Sequence, residues 1–217
     1  MSYLNTGRMS VSFLQYKRLI IFDCDGVLIN SFDANTNFFN YCLEQGGYPP
    51  LGTDDREKVA YMSTRQLMYE LFPDRIEADR LFRISQNTDY TPFLKDVHVL
   101  FDFEEVLGRF HKHFLLAVAT NRGRSLDRLF DHFHLDRWFS FRISTVDAEP
   151  KPHPEMLLKC IEYFNVTKAQ AVYVGDSVTD REAATNAGIE YINVGSTVGS
   201  SEEPSILSVK DLLGMIQ

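Results

Sequence analysis

Leu19-Ile20-Ile21-Phe22-Asp23-Cys24-Asp25-Gly26-Val27-Leu28 passes from four consecutive apolar residues straight into two aspartates and a glycine. A short run with no polar alternation is the pattern of a strand buried on both faces of a parallel sheet. Leu115 to Ala119, Phe139 to Ser144, Ala171 to Val174 and Tyr191 to Val194 repeat the pattern. Helical periodicity fills the gaps between them. Phe103, Val106, Leu107 and Phe110 lie three or four residues apart, as do Leu126, Leu129, Phe130 and Phe133. Met156, Leu157, Cys160, Ile161 and Phe164 form a third stripe, with Pro154 at its expected start, and Gly188 is a helix stop. Strand and helix in alternation call for right-handed crossovers and an α/β fold built on a doubly wound, mostly parallel sheet.

One stretch breaks this alternation. From Ser31 to Phe93 the sequence shows only helical patterns, among them Asp54 to Phe72 and Asp74 to Gln86. A loop between strand and helix in such folds is about 2–6 residues long. The stretch therefore reads as an inserted helical domain over 31–93, leaving 1–30 and 94–217 as the core. Its junctions fall near Asn30 to Asp33 and Tyr90 to Lys95.

Composition sets the remaining bounds. A chain of 217 residues buries roughly 70% of its unfolded surface and needs no metal or disulfide merely to fold. Apolar residues at 44% and charged residues at 24% are ordinary for a globular protein and exclude collagen, coiled coil and disorder. The net charge of −8 and the lack of a Lys/Arg block argue against nucleic acid as a partner. Cys24, Cys42 and Cys160 form no C-x-x-C pair, which points away from zinc and disulfides and toward a reducing cytoplasm. Met1 to Lys17 lacks the apolar core of a secretory signal. The run Phe114 to Ala119 is far short of the ~20 residues of a membrane span, so no membrane partner is expected.

In an open parallel sheet, ligands bind beyond the carboxyl ends of the strands. The residues there are Asp23, Asp25 and Gly26 after the first strand, Thr120 and Asn121 after the second, and Asp176, Ser177 and Asp180 after the fourth. Lys151, between Pro150 and Pro152, precedes the fourth. Taken singly, each fragment is an ordinary turn or strand-end cap; their order gives the reading. Four acids crowded together resist ionising without a cation. Hard oxygen ligands suit Mg²⁺, and a divalent ion beside a lysine makes a place for a phosphoryl group.

The motifs Asp23-Cys24-Asp25-Gly26-Val27-Leu28, Thr120-Asn121, Lys151-Pro152 and Gly175-Asp176-Ser177-Val178-Thr179-Asp180 resemble, in order, the four motifs of the haloacid dehalogenase superfamily. Within it the chain is similar to the phosphoglycolate phosphatase and β-phosphoglucomutase branch, whose members carry a helical cap. The resemblance implies a Rossmann-like core, Mg²⁺ and an aspartyl-phosphate intermediate on a small phosphorylated metabolite. It makes Asp23 the nucleophile and Asp25 the acid and base, with the Asp25 carbonyl on the metal. Thr120 and the Asn121 backbone would bind phosphoryl oxygens, Lys151 would neutralise charge, and Gly26 would let the chain approach the phosphate. Asp176 would hold Mg²⁺ directly, and Asp180 directly or through water. Asn30, Val27 and the missing Pro-Gly around Val97 to Asp102 depart from the family pattern.

Asp25 argues against halide displacement, since the dehalogenases lack an acid two residues after the nucleophile. Lys58 stands in a charged run and reads as a solvated helix face rather than a Schiff-base lysine. Arg65, in Ser63-Thr64-Arg65, is the candidate for a substrate contact from the cap, against the alternative of an exposed arginine. Arg122 and Arg124 could meet an anionic substrate or form surface ion pairs. His111, His113, His132 and His134 read as core or surface residues, and Trp138 as core. The leading expectation is a phosphatase. The alternatives are a sugar phosphomutase and a catalytically silent regulatory protein.

Overall fold

The computed structural model describes residues 14–60, 62–195 and 204–216. The first thirteen residues of the segment read for a secretory signal lie outside it. The strands are β1 Leu19–Phe22, β2 Ile29–Asn30, β3 His98–Val99, β4 Leu115–Ala119, β5 Phe141–Ile143, β6 Ala171–Gly175, β7 Glu190–Val194 and β8 Ser205–Ile206. The helices are α1 Phe32–Gln45, α2 Thr53–Lys58, α3 Thr64–Leu71, α4 Arg75–Asn87, α5 Phe103–Phe110, α6 Ser125–Phe133, α7 Glu155–Phe164 and α8 Val178–Ala187.

Six strands form one parallel sheet in the order β5-β4-β1-β6-β7-β8. β1 is central: Leu19 to Phe22 pair with Leu115 to Val118 on one side and with Ala171 to Val174 on the other. The chain runs outward through β4 and β5, then returns beside β1 to begin β6. This is the doubly wound arrangement expected. All four β1 side chains are fully buried, as an apolar run covered on both faces requires. Ala183, Ala184 and Ala187 of α8 and Met156, Leu157 and Cys160 of α7 pack in one cluster with β1, β4 and β6 residues.

By mutual contact the chain sorts into two compact units. One is the sheet unit, formed by the chain up to Asn30, Val99–Gly123 and the chain from His134 onward. The other is helical, formed by Ser31–His98 together with Arg124–Phe133. The expected borders were at 30/31 and 93/94. Inside the helical unit, Phe38 of α1 meets Tyr90 and Phe93 in tilted and edge-to-face contacts, and Leu67, Met68, Ala78 and Leu81 close α3 on α4.

Several local expectations change. The pattern from Asp54 to Phe72 is two helices, because Ser63 leaves the helical conformation and caps α3. Its hydroxyl accepts from the Gln66 N–H while the Gln66 side chain accepts from the Ser63 N–H. The strand expected from Phe139 to Ser144 shortens to β5. The Phe139 N–H is taken by the Leu135 carbonyl, and the Ser144 N–H by Asp147 Oδ2. Trp138 is half-buried over Gly108 rather than in the core. The two-residue strands β2, β3 and β8 are too short to register as patterns.

Candidate active site

The chain keeps its pairing one residue beyond β1. The Asp23 N–H donates to the Val174 carbonyl at 2.8 Å, so Asp23 is fixed beside the end of β6. The next residues form a tight turn, in which Leu28 and Ile29 donate to the Cys24 carbonyl and Gly26 donates to Ile29. Gly26 has φ +79°, and a Cβ there would lie 1.9 Å from Asp176 Oδ2. Only glycine lets this turn close on Asp176.

On the other side of β1, Thr120 is buried directly after β4, and its N–H donates to Ile143. Asn121 then locks a distant loop in place. Its Oδ1 accepts from the Lys151 N–H at 2.7 Å, and its Nδ2 donates to the Lys151 carbonyl at 3.0 Å. This side-chain clamp was not part of the sequence reading, which gave Asn121 only a backbone role.

Lys151 is 3% exposed. Its ammonium donates to Asp23 Oδ1 at 2.7 Å, Asp180 Oδ1 at 2.5 Å and the Tyr173 hydroxyl at 2.8 Å. Three protons thus have three acceptors. Tyr173 in turn donates to Asp180 Oδ1 at 2.7 Å. In the sequence Tyr173 reads only as one residue of the apolar run Ala171 to Val174. The signal was there: a tyrosine hydroxyl inside a fully buried strand needs a polar partner.

Asp180 is the most saturated member. Besides Lys151 and Tyr173, it accepts from the Asp176 and Ser177 N–H groups at 3.2 and 3.1 Å and from Ser177 Oγ at 2.6 Å. Ser177 is the N-cap of α8 and Asp180 its third residue, so helix capping and site construction share the same atoms.

Burial pushes the Asp23 carboxyl well up, and Asp180 and Asp176 add to it despite Lys151. Burial also works against ionised Asp180, but the Lys151 ammonium and the hydrogen bonds outweigh it and hold Asp180 below its ordinary value. Of two aspartates sharing one lysine, Asp180 keeps the charge. Asp176 is pushed up to about 7 by burial and then by Asp180. The protein chain alone therefore has too little positive charge to ionise the whole set.

That deficit, and the geometry, fit a cation. Oxygens of Asp23, Asp176 and Asp180 lie within 4.8 Å of one another, the donor chemistry and spacing suited to Mg²⁺. With five donors already on it, Asp180 is better suited to hold Lys151 and α8 than to bind metal directly.

Asp25 points to another partner. Arg122 Nε donates to Asp25 Oδ2 at 3.0 Å and Nη2 to Oδ1 at 2.5 Å. The Arg122 side chain is 4% exposed and the Asp25 side chain 31%. Arg122 is therefore in a buried, two-pronged ion pair, not on the surface.

Arg65 is an exposed residue of α3 in the helical unit, its guanidinium over the Tyr69 and Phe82 rings. Lys58 pairs with Asp55 and Glu70. Arg124 and the four histidines His111, His113, His132 and His134 are exposed.

The family model for haloacid dehalogenase-like hydrolases matches residues 20–194. Pyrophosphatase PpaX of Anoxybacillus flavithermus is 26% identical over 209 residues, 91% of this chain and 95% of that protein. A phosphoglycolate phosphatase of Psychrobacter arcticus is 27% identical over 197 residues, 82% of this chain and 83% of that one. The crystal structure of a subfamily IA, variant 1, hydrolase from Geobacter sulfurreducens superposes with a TM-score of 0.75 at 28% identity, covering 93% of this chain and 97% of the other.

Proposed function

Since the chain belongs to the haloacid dehalogenase-like hydrolase family, we propose that it is a Mg²⁺-dependent phosphatase that hydrolyses a small phosphomonoester through an aspartyl phosphate on Asp23. The observation that carries this reading is one cluster at the strand ends: Lys151 on Asp23 and Asp180, with Asp176 within reach of both. Pyrophosphatase and phosphoglycolate phosphatase among the relatives support it.

In this reading an Asp23 oxygen attacks phosphorus in line, and the bond from phosphorus to the leaving oxygen breaks. Asp25, out of its pairing with Arg122 and protonated from solvent, gives that proton to the leaving oxygen. It then takes a proton from the water that attacks the acyl phosphate, which frees Asp23 and inorganic phosphate. Thr120 and the Asn121 N–H hold phosphoryl oxygens, and the Asn121 side chain keeps Lys151 in register. Lys151 offsets charge on Asp23 and on the group in transfer. Asp23, Asp176 and the Asp25 carbonyl would hold Mg²⁺, which when bound neutralises the carboxylates and the phosphoryl oxygens. Asp180 positions Lys151. Three free, buried cysteines suit a cytoplasmic setting, and among the described residues no helix is long and apolar enough to cross a membrane.

The test is hydrolysis of an aryl phosphate with Mg²⁺, with chelator, and by Asp23→Asn. Chelation abolishes turnover, Mg²⁺ restores it better than Ca²⁺, and Asp23→Asn loses roughly a thousandfold or more. Wild-type turnover by Asp23→Asn contradicts the proposal. Isomerisation of a hexose phosphate without phosphate release would instead favour the phosphomutase.

A further inference from the structure

Tyr173 belongs to none of the four motifs and comes to the site from within β6. We propose that Tyr173 is a positioning residue for phosphoryl transfer, acting through Lys151: its hydroxyl is a fixed, neutral rest that keeps the ammonium turned toward Asp23 and the group in transfer. This deepens the proposed phosphatase and rests on it, since it takes Lys151 to be the residue that offsets charge during the transfer.

The hydroxyl joins three stretches of chain that are distant in sequence. It accepts from Lys151 Nζ at 2.8 Å and lies 2.7 Å from Asp180 Oδ1 and 3.2 Å from the Ala119 carbonyl oxygen. A phenol has one proton, and the charged acceptor at the shorter distance takes it. Ala119 stands directly before Thr120 and Asn121, so its carbonyl belongs to the same strand end that clamps the Lys151 main chain. Lys151 is thus held at both ends, by the Asn121 amide at its backbone and by Tyr173 and Asp180 at its ammonium.

A lysine needs such support. Its ammonium is a point charge on a flexible four-carbon stem, with three donors that rotate together. Of its three acceptors, only Asp23 takes part in the transfer. With Asp180 as the one fixed partner the ammonium is free to turn about that bond; a second fixed acceptor stops the turn. Tyr173 suits the place in two ways. Its side chain is fully buried in one cluster with Leu19, Ile21, Ala117, Met156 and Ala184, so close packing holds the hydroxyl still. It is also neutral. A third carboxylate would hold Lys151 equally well but would add negative charge to a site that must admit a phosphoryl group. The hydroxyl orients the cation and leaves its charge to Asp23 and the phosphoryl oxygens. Such orientation counts where charge develops, so it acts on the transition state rather than on substrate binding.

The experiment compares wild type and Tyr173→Phe in the hydrolysis of 4-nitrophenyl phosphate at saturating Mg²⁺. Inhibition is measured with orthovanadate, which mimics five-coordinate phosphorus, and with inorganic phosphate. In Tyr173→Phe, kcat is expected to fall about tenfold and the vanadate Ki to rise by the same factor, while KM and the phosphate Ki stay within about twofold. A merely structural role lowers the fraction of active enzyme and leaves the vanadate Ki where it was; that result overturns the inference. So does an unchanged kcat, or a rise of KM and the phosphate Ki in step with the vanadate Ki. Should Tyr173→Phe not fold, Tyr173→4-aminophenylalanine decides the matter. Its amine fills the place of the hydroxyl and donates to Asp180 but accepts poorly from Lys151, so the same split is expected, and wild-type kcat overturns the inference. Absence of Asp23-dependent turnover by the wild type would instead overturn the phosphatase reading itself.

Discussion

At the scale of single residues, the site is a charge-sharing problem solved by position. Lys151 has three protons and gives them to Asp23, Asp180 and Tyr173, and the Tyr173 hydroxyl passes a bond on to Asp180. Replacing Tyr173 by Phe leaves Asp180 and Lys151 each short of a partner in a fully buried setting. We expect a loss of about 1–3 kcal/mol of stability, read from the urea midpoint, together with a fall in kcat. An unchanged midpoint would mean that the hydroxyl is not part of the network. Asp23, Asp25, Asp176 and Asp180 were legible because each follows an apolar run within a few residues, and Lys151 because it stands between two prolines in the stretch that joins the third and fourth runs. Tyr173 was hidden inside such a run. The partner of Arg122 was hidden by distance, since Asp25 lies 97 positions away and nothing local marks two loops as neighbours.

At the scale of elements, strands buried on both faces announce themselves, and β1, β4, β6 and β7 stand close to where their apolar runs predict. Elements fixed by single hydrogen bonds do not. The break between α2 and α3 comes from the capping box of Ser63 and Gln66, a signal present in the sequence but overridden by the longer periodic pattern. The start of α8 joins element to site, because Ser177 caps the helix and also donates to the Asp180 carboxylate. Ser177→Ala should therefore cost about 1–2 kcal/mol in stability and reduce turnover with it. Equilibrium unfolding and an aryl phosphate assay check both. A stability loss with full activity would separate the cap from the site.

At the scale of the whole molecule, a net charge of −8 predicts nothing about an anionic substrate, because the local field is set by a few buried groups and a cation. Without metal, the Asp176 carboxyl titrates at about 7 in the folded protein and near its ordinary carboxylate value when unfolded. The folded state thus holds a proton that the unfolded chain has given up, so metal-free stability declines as pH rises through about 7. A metal must displace that proton, so Mg²⁺ binding is roughly tenfold weaker at pH 6 than at pH 8. Melting curves should show a larger Mg²⁺-induced rise in Tm at pH 8; an equal rise at both values contradicts this. The central claim is that phosphorus is transferred to Asp23 before it reaches water. The most direct measurement is an acid quench of the full-length protein during turnover of a ³²P-labelled aryl phosphate with Mg²⁺, followed by peptide mapping. The account predicts label on the peptide holding Asp23, removed by hydroxylamine and absent from Asp23→Asn. Steady turnover with no label on that peptide, or label that persists in Asp23→Asn, would contradict it.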